Sequence, residues 1–236
     1  MSIADKLTTI AENQQRVYDA GYESGFTDGQ AQGGGGEDLW QYVTTLNQTF
    51  QHMAFPDGYE LTLNVPNLSK DRDINNIIER CTGLRKLTIK CGREDIVLRS
   101  YFAFGSCQAI EEIDLSQFCN TEVVRITKSN YMFYSANKLK TIRGVLDFSQ
   151  VTDNTSIFSG CSHLENIEIA QESLKVTTSF ASCSMLTDAS IQSIIDGLAD
   201  LTGQTAQTLT FHSTVGAKLT DAQKAAITAK NWTLVY

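Results

Sequence analysis

The run Phe158-Ser-Gly-Cys161-Ser-His-Leu164-Glu-Asn-Ile167-Glu-Ile169 decides how the chain is read. It sets an aromatic residue, a small residue three positions on, and aliphatic residues at steps of three, three and two. The phrase also stands at Ile78, Cys81, Leu84, Leu87 and Ile89, and at Phe104, Cys107, Ile110, Ile113 and Leu115. A third copy runs Phe133, Ala136, Leu139, Ile142, and a decayed fifth runs Phe180, Cys183, Leu186, Ala189, Ile191. Copies follow one another at 22–29 residues, a period typical of stacked repeats.

In each copy, Leu-x-x-Leu-x-Ile ends as a short strand whose alternate side chains point inward. One coil cannot bury its own apolar face, so neighbours must stack and the two ends need covers. The predicted fold is therefore an α/β solenoid of leucine-rich-repeat type, with about five coils, capping elements and an N-terminal helical arm. The predicted division is an arm and glycine linker over 1–36, an N-terminal cap over 37–76, the repeats over 77–191 and a C-terminal cap over 192–236.

Cys81, Cys107, Cys161 and Cys183 share one repeat slot, and Ala136 fills it in the third copy. A slot that takes Cys or Ala is small, apolar and buried, where a free thiol behaves as a small hydrophobe. Stacked Cβ atoms would also sit further apart than the roughly 3.8 Å a disulfide prefers. Cys91 and Cys119 fall outside the slot and receive no assignment.

Outward strand positions carry charge in alternation: Arg85, Glu111, Lys140, Glu165, then Thr187, with Thr88, Asp114, Arg143, Glu168 and Ser190 in a second slot. Opposite charges on neighbouring strands contribute roughly 0.2–1 kcal/mol each and penalise a slipped register. This face is either a solvated ladder that fixes register or a surface for a protein partner. Tyr101, Tyr131 and Tyr134, near the coil turns, are candidates for contact with a sugar or a protein, with core packing as the alternative.

The opening residues read differently. Ser2 and Asp5 resemble a helix start, and Ile3, Leu7, Ile10 and Val17 lie along one helical stripe. Gly33-Gly34-Gly35-Gly36 then makes a joint. Such an arm suits attachment to a partner or to copies of itself, a trimer among them, rather than a core helix. Between 37 and 60 the spacing of Trp40, Val43, Leu46, Phe50, Met53 and Phe55 is largely helical, and Tyr59 to Val65 alternates as a strand. Near the C-terminus, Ile191, Ile194, Ile195, Leu198 and Leu201 form a helical stripe, Thr208 to Phe211 and Trp232 to Tyr236 read as strands, and Thr220 with Gln223 reads as a capping box.

Composition narrows the function. The 236 residues include 2 prolines and 3 histidines, with 42% hydrophobic and 19% charged residues and a net charge of -8. That balance fits neither a disordered chain nor a membrane span, and the N-terminus has no signal-peptide core. An acidic excess without a basic stripe argues against nucleic acid. The sequence holds no CxxC, HExxH, P-loop, GxSxG or GxGxxG motif. No catalytic residue, metal or cofactor is expected, and the expected class is a binding or structural protein.

The phrase from Phe158 to Ile169 resembles the BspA-like branch of leucine-rich-repeat proteins, over about residues 75–190. Met1-Ser-Ile-Ala-Asp-Lys-Leu-Thr-Thr-Ile-Ala-Glu-Asn13 looks like the start of proteins from tail regions of phages and prophages of Gram-positive gut bacteria. Leu219-Thr-Asp-Ala-Gln-Lys-Ala-Ala-Ile-Thr-Ala-Lys-Asn-Trp-Thr-Leu-Val235 is similar to the ends of repeat proteins from the same setting. These resemblances imply a non-catalytic virion protein, joined to other tail proteins through its arm, that binds a host-surface protein or glycan. A purely structural virion component and a bacterial cell-surface adhesin are the alternatives. A particle assembled in the cytoplasm and freed by lysis needs no signal peptide.

Overall fold

Alternation of apolar and polar residues builds the sheet, and the spacing of the copies sets which strands meet. The computed structural model describes residues 50–68, 75–94 and 96–236. Strands β1 (Ala54–Asn64), β2 (Thr82–Lys90), β4 (Glu112–Asp114), β6 (Thr141–Asp147) and β7 (Asn166–Ile169) lie side by side in chain order, all parallel. The register aligns like with like: Leu61 and Leu63 face Leu87 and Ile89, Leu87 faces Ile113, and Ile113 faces Ile142. Those inward aliphatics make the core, with Leu84, Leu87, Ile113, Leu139 and Leu164 wholly enclosed.

A second row departs from this order. Strands β3 (Leu98–Arg99) and β5 (Val123–Lys128) pair with each other, and β5 then pairs with the far half of β6. Thus β6 lies along β4 over Thr141–Arg143 and along β5 over Val145–Asp147. Gly144 sits at the change of partner with φ +105. A Cβ there would come within 3.2 Å of the Leu115 carbonyl carbon, so glycine answers both the backbone angle and the close approach. The pairing of β6 with β7 is also irregular across this point. The outcome is a curled, half-barrel sheet.

This corrects the expected α/β leucine-rich-repeat solenoid. The described residues form a mostly parallel, curled sheet with few helices, and those helices come only after Thr187. The physical reason lies in the connections. Parallel strands need long crossovers, commonly helical. Here, the copies before residue 187 return through turns with paired left-handed residues: Asn76 and Arg80, Phe102 and Ser106, Tyr131 and Ser135, Ser156 and Gly160. The expected helical arm over 1–36, with Ile3, Leu7, Ile10 and Val17, lies outside the described residues. Helical spacing also misreads Phe55, which belongs to β1.

The turns form a wall of their own. Backbone amides of Ile78, Phe104 and Phe133 donate to the carbonyls of Ala103, Met132 and Ile157 in the next copy. The wall continues into a small parallel sheet, β8 (Thr178–Phe180), β9 (Gln207–Phe211) and β10 (Trp232–Val235). Along it Phe104, Phe133, Phe158, Phe180 and Phe211 stack ring over ring, with centroids 5.5, 5.6, 4.6 and 6.0 Å apart. Three helices close this end: α1 (Asp188–Asp196), α2 (Ser213–Gly216) and α3 (Asp221–Ala229). Thr187 caps α1, and Thr220 with Gln223 makes both halves of a capping box on α3.

Candidate recognition surface

Four aromatic rings gather outside the turn wall. The left-handed slot filled by Asn76 in the first copy and Ser156 in the fourth holds Phe102 in the second and Tyr131 in the third, at φ 59 and 56. Left-handed backbone is uncommon outside glycine and asparagine and an outlier for bulky residues, costing roughly 1–2 kcal/mol. Asn76 and Ser156 demonstrate that the turn forms with a polar residue in this slot. The aromatic rings are therefore a property of two copies and not a requirement of the fold.

Tyr101 and Tyr134 complete the group. The Phe102 ring lies over the backbone of Gly105, where any Cβ would collide with it. It stacks against Tyr131 with centroids 5.7 Å apart, and Tyr134 leans on it at 5.4 Å. Tyr101 meets Tyr131 edge-on at 5.7 Å, as Tyr134 does at 5.6 Å. Tyr101 is 52% exposed and the other three rings are partly exposed. In flanking copies the corresponding positions are Asn75 and Thr155 for Tyr101, and Glu79 and Ser159 for Tyr134.

A polar scaffold holds this group from beneath. Buried Ser100 accepts the amide of Ala103 at 3.2 Å, and the Asn75 side chain accepts the amide of Tyr101 at 2.8 Å. Buried Ser129 donates to Asn154 at 2.7 Å, and Asn154 donates to Thr178 at 2.9 Å. At the patch margin Asn130 donates to Asp153, whose other oxygen accepts the Thr155 amide and hydroxyl. The Thr155 hydroxyl bond is the main reason that the Asp153 carboxyl titrates below its ordinary range. Asp153 is thus a fixed, ionised acceptor.

Charged residues of the strands, Glu60, Arg85, Lys86, Glu112 and Arg143, and of the turns just before them, Glu111 and Lys140, form ion pairs with each other, while Asp114 accepts from Ser116. Arg85 meets Glu60, and Lys140 meets Glu111 at 3.1 Å. Glu112 lies between Arg143 at 2.7 Å and Lys86 at 2.8 Å. The hydrogen bond from Arg143 leads in holding the Glu112 carboxyl below the usual range. Glu165 continues the row, its amide donating to the Lys140 carbonyl. The structure separates this ladder, on the strands, from Tyr101 and Tyr134, on the turns.

Cys81, Cys107, Ala136, Cys161 and Cys183 stand in the buried wall, none more than 1% exposed. Burial pushes the Cys81 and Cys161 thiols up to about 12 and Cys107 to about 11. Cys161 instead donates to the Phe133 carbonyl at 3.1 Å. Cys91 and Cys119 line a separate pocket of about 460 Å³ with Asn64, Lys90 and Glu122. Both are buried and outside any disulfide, and burial is again the main cause that raises Cys119. Among the described residues, no group of three or more His, Cys, Asp or Glu is arranged to hold a metal ion. His163 contacts the Asn137 carbonyl, and His212 caps α2.

Sequence reasoning singled out Tyr101, Tyr131 and Tyr134 but missed Phe102, because period alone does not reveal a left-handed residue. The available signal was the alignment of Phe102 and Tyr131 with Asn76 and Ser156. Compared with protein-family models, with curated proteins and with solved structures, the chain matches none.

Proposed function

We propose that the chain is a non-catalytic phage tail or baseplate protein whose aromatic patch binds a component of the host-cell surface. Residues 1–36 attach it to the particle. The observation that carries the recognition role is the partly exposed cluster of Tyr101, Phe102, Tyr131 and Tyr134. It fills two copies at positions where the flanking copies hold polar residues, Asn76 and Ser156 on the same left-handed backbone as Phe102 and Tyr131. Aromatic side chains with solvent access are frequent binding anchors. The virion setting rests on the resemblance of the two chain ends to tail-region proteins. The paired sheet charges favour a register role for Arg85, Glu111, Lys140 and Arg143, since each already has a partner within the chain.

The test uses labelled full-length protein and a panel of Gram-positive gut bacteria. Binding to a subset of strains is expected, weakened about tenfold in Tyr101→Asn and retained in Arg85→Gln. Deleting residues 1–36 is expected to prevent incorporation into particles and to leave cell binding in place. Particle incorporation without any cell binding would leave a structural component instead.

A further inference from the structure

We infer that the ligand of the aromatic patch is a carbohydrate, an inference that rests on the recognition role proposed above. Size is the first argument. A stable protein interface takes about 800 Å² from each partner, whereas a whole aromatic side chain offers only about 150–250 Å². Of these four rings only Tyr101 is more exposed than buried, and the other three are already packed on one another. The surface around them turns polar at once, through Asn75 and Asn76 on one side and Thr155, Ser156 and Ser159 on the other. The apolar area fits one or a few sugar rings and falls well short of a folded partner.

Chemistry is the second argument. Pyranose rings present a face of C–H groups, which suits an aromatic face, and a rim of hydroxyls, which needs hydrogen-bonding groups beside that face. The patch supplies both. Tyr101, Tyr131 and Tyr134 contribute ring faces and phenolic hydroxyls. Next to Tyr131, the Asn130 amide and the Asp153 carboxylate are already held in place by each other and by Thr155. With three of its roughly four acceptor sites taken by Asn130 and Thr155, the Asp153 carboxylate is fixed before binding and accepts one sugar hydroxyl without an ordering cost at the moment of contact. A nucleobase would also stack, but its phosphates would approach a chain of net charge -8, against the electrostatics that nucleic-acid binding requires.

The experiment measures binding of the labelled full-length protein to cells of that bacterial panel after periodate, which cleaves vicinal diols, or after protease. Soluble wall polysaccharide from the bound strain serves as competitor. Binding is expected to vanish after periodate, to survive protease, and to be competed by the polysaccharide. Tyr101→Asn and Asp153→Asn are each expected to weaken it about tenfold, the equivalent of one good contact, with far-UV circular dichroism unchanged in both and the unfolding midpoint unchanged in Tyr101→Asn. Binding that survives periodate, or that protease abolishes, overturns the carbohydrate while leaving recognition intact. If no strain of the panel is bound by the wild-type protein, the recognition role fails and the carbohydrate with it.

Discussion

Two rows of aromatic rings leave the same turns, two residues apart in sequence, and meet opposite environments. Phe104 and Phe133 point inward and stack in a column from Phe104 to Phe211, with each ring no more than 1% exposed. Phe102 and Tyr131 point outward from left-handed backbone and, with Tyr101 and Tyr134, form a patch open to solvent. The inner row continues through five successive segments because each ring covers the next. The outer row occupies two copies and stops where Asn76 and Ser156 take over the slot. Continuity marks the inner row as architecture, and replacement by polar residues on the same left-handed backbone shows that the fold does not need the outer row.

The inner row gives the largest expected effect. Phe133→Ala removes a ring stacked on both sides, 5.5 Å from Phe104 and 5.6 Å from Phe158, and is expected to cost about 3–5 kcal/mol of stability, read from denaturant unfolding. A loss as small as that of a surface substitution would break the distinction between the rows. The adjacent small-residue slot sharpens it. Ala136 is fully enclosed, so Ala136→Leu is expected to cost about 1–3 kcal/mol by overpacking. Ala136→Cys, which copies the other four members of the column, is expected to cost less than about 1 kcal/mol.

Glu112 provides a control from the sheet. Its folded carboxyl is held below its unfolded value, about 4.3 for a glutamate, chiefly by Arg143. A depressed folded value means that the stabilisation is complete above the unfolded value and disappears as pH falls through the folded one. Glu112→Gln is therefore expected to flatten the stability profile in that acid window and to leave cell binding unchanged at neutral pH. Altered binding at neutral pH would extend the recognition surface onto the strands.

Strand positions were legible in the sequence because Leu84, Leu87 and Ile89 recur with the same spacing in later copies, and so was the enclosure of Cys81 through the substitution by Ala136. The curl was not. It depends on β6 exchanging one neighbour for another at Gly144 and on β3 and β5 forming a second row, both of which are long-range pairings that no local period encodes. Turn returns in place of helices were hidden for a related reason. Arg80, Ser106 and Ser135 are not residues that announce left-handed backbone, and only the stacked copies fix it. At the site, the three tyrosines stood out as aromatics near turns, while Phe102, beside the periodic Phe104, carried no signal in the spacing of the copies.

Tyr101 offers the most direct test of the outer row, because it is the most exposed ring and Asn130 holds the aligned position in the next copy. Cell binding and unfolding midpoint are measured together for Tyr101→Asn. The expected result is binding weakened about tenfold, with stability within about 0.5 kcal/mol of the wild-type protein, as for ordinary surface substitutions. Binding retained at full strength, or a loss of stability as large as that of Phe133→Ala, would contradict the assignment of the outer row to recognition.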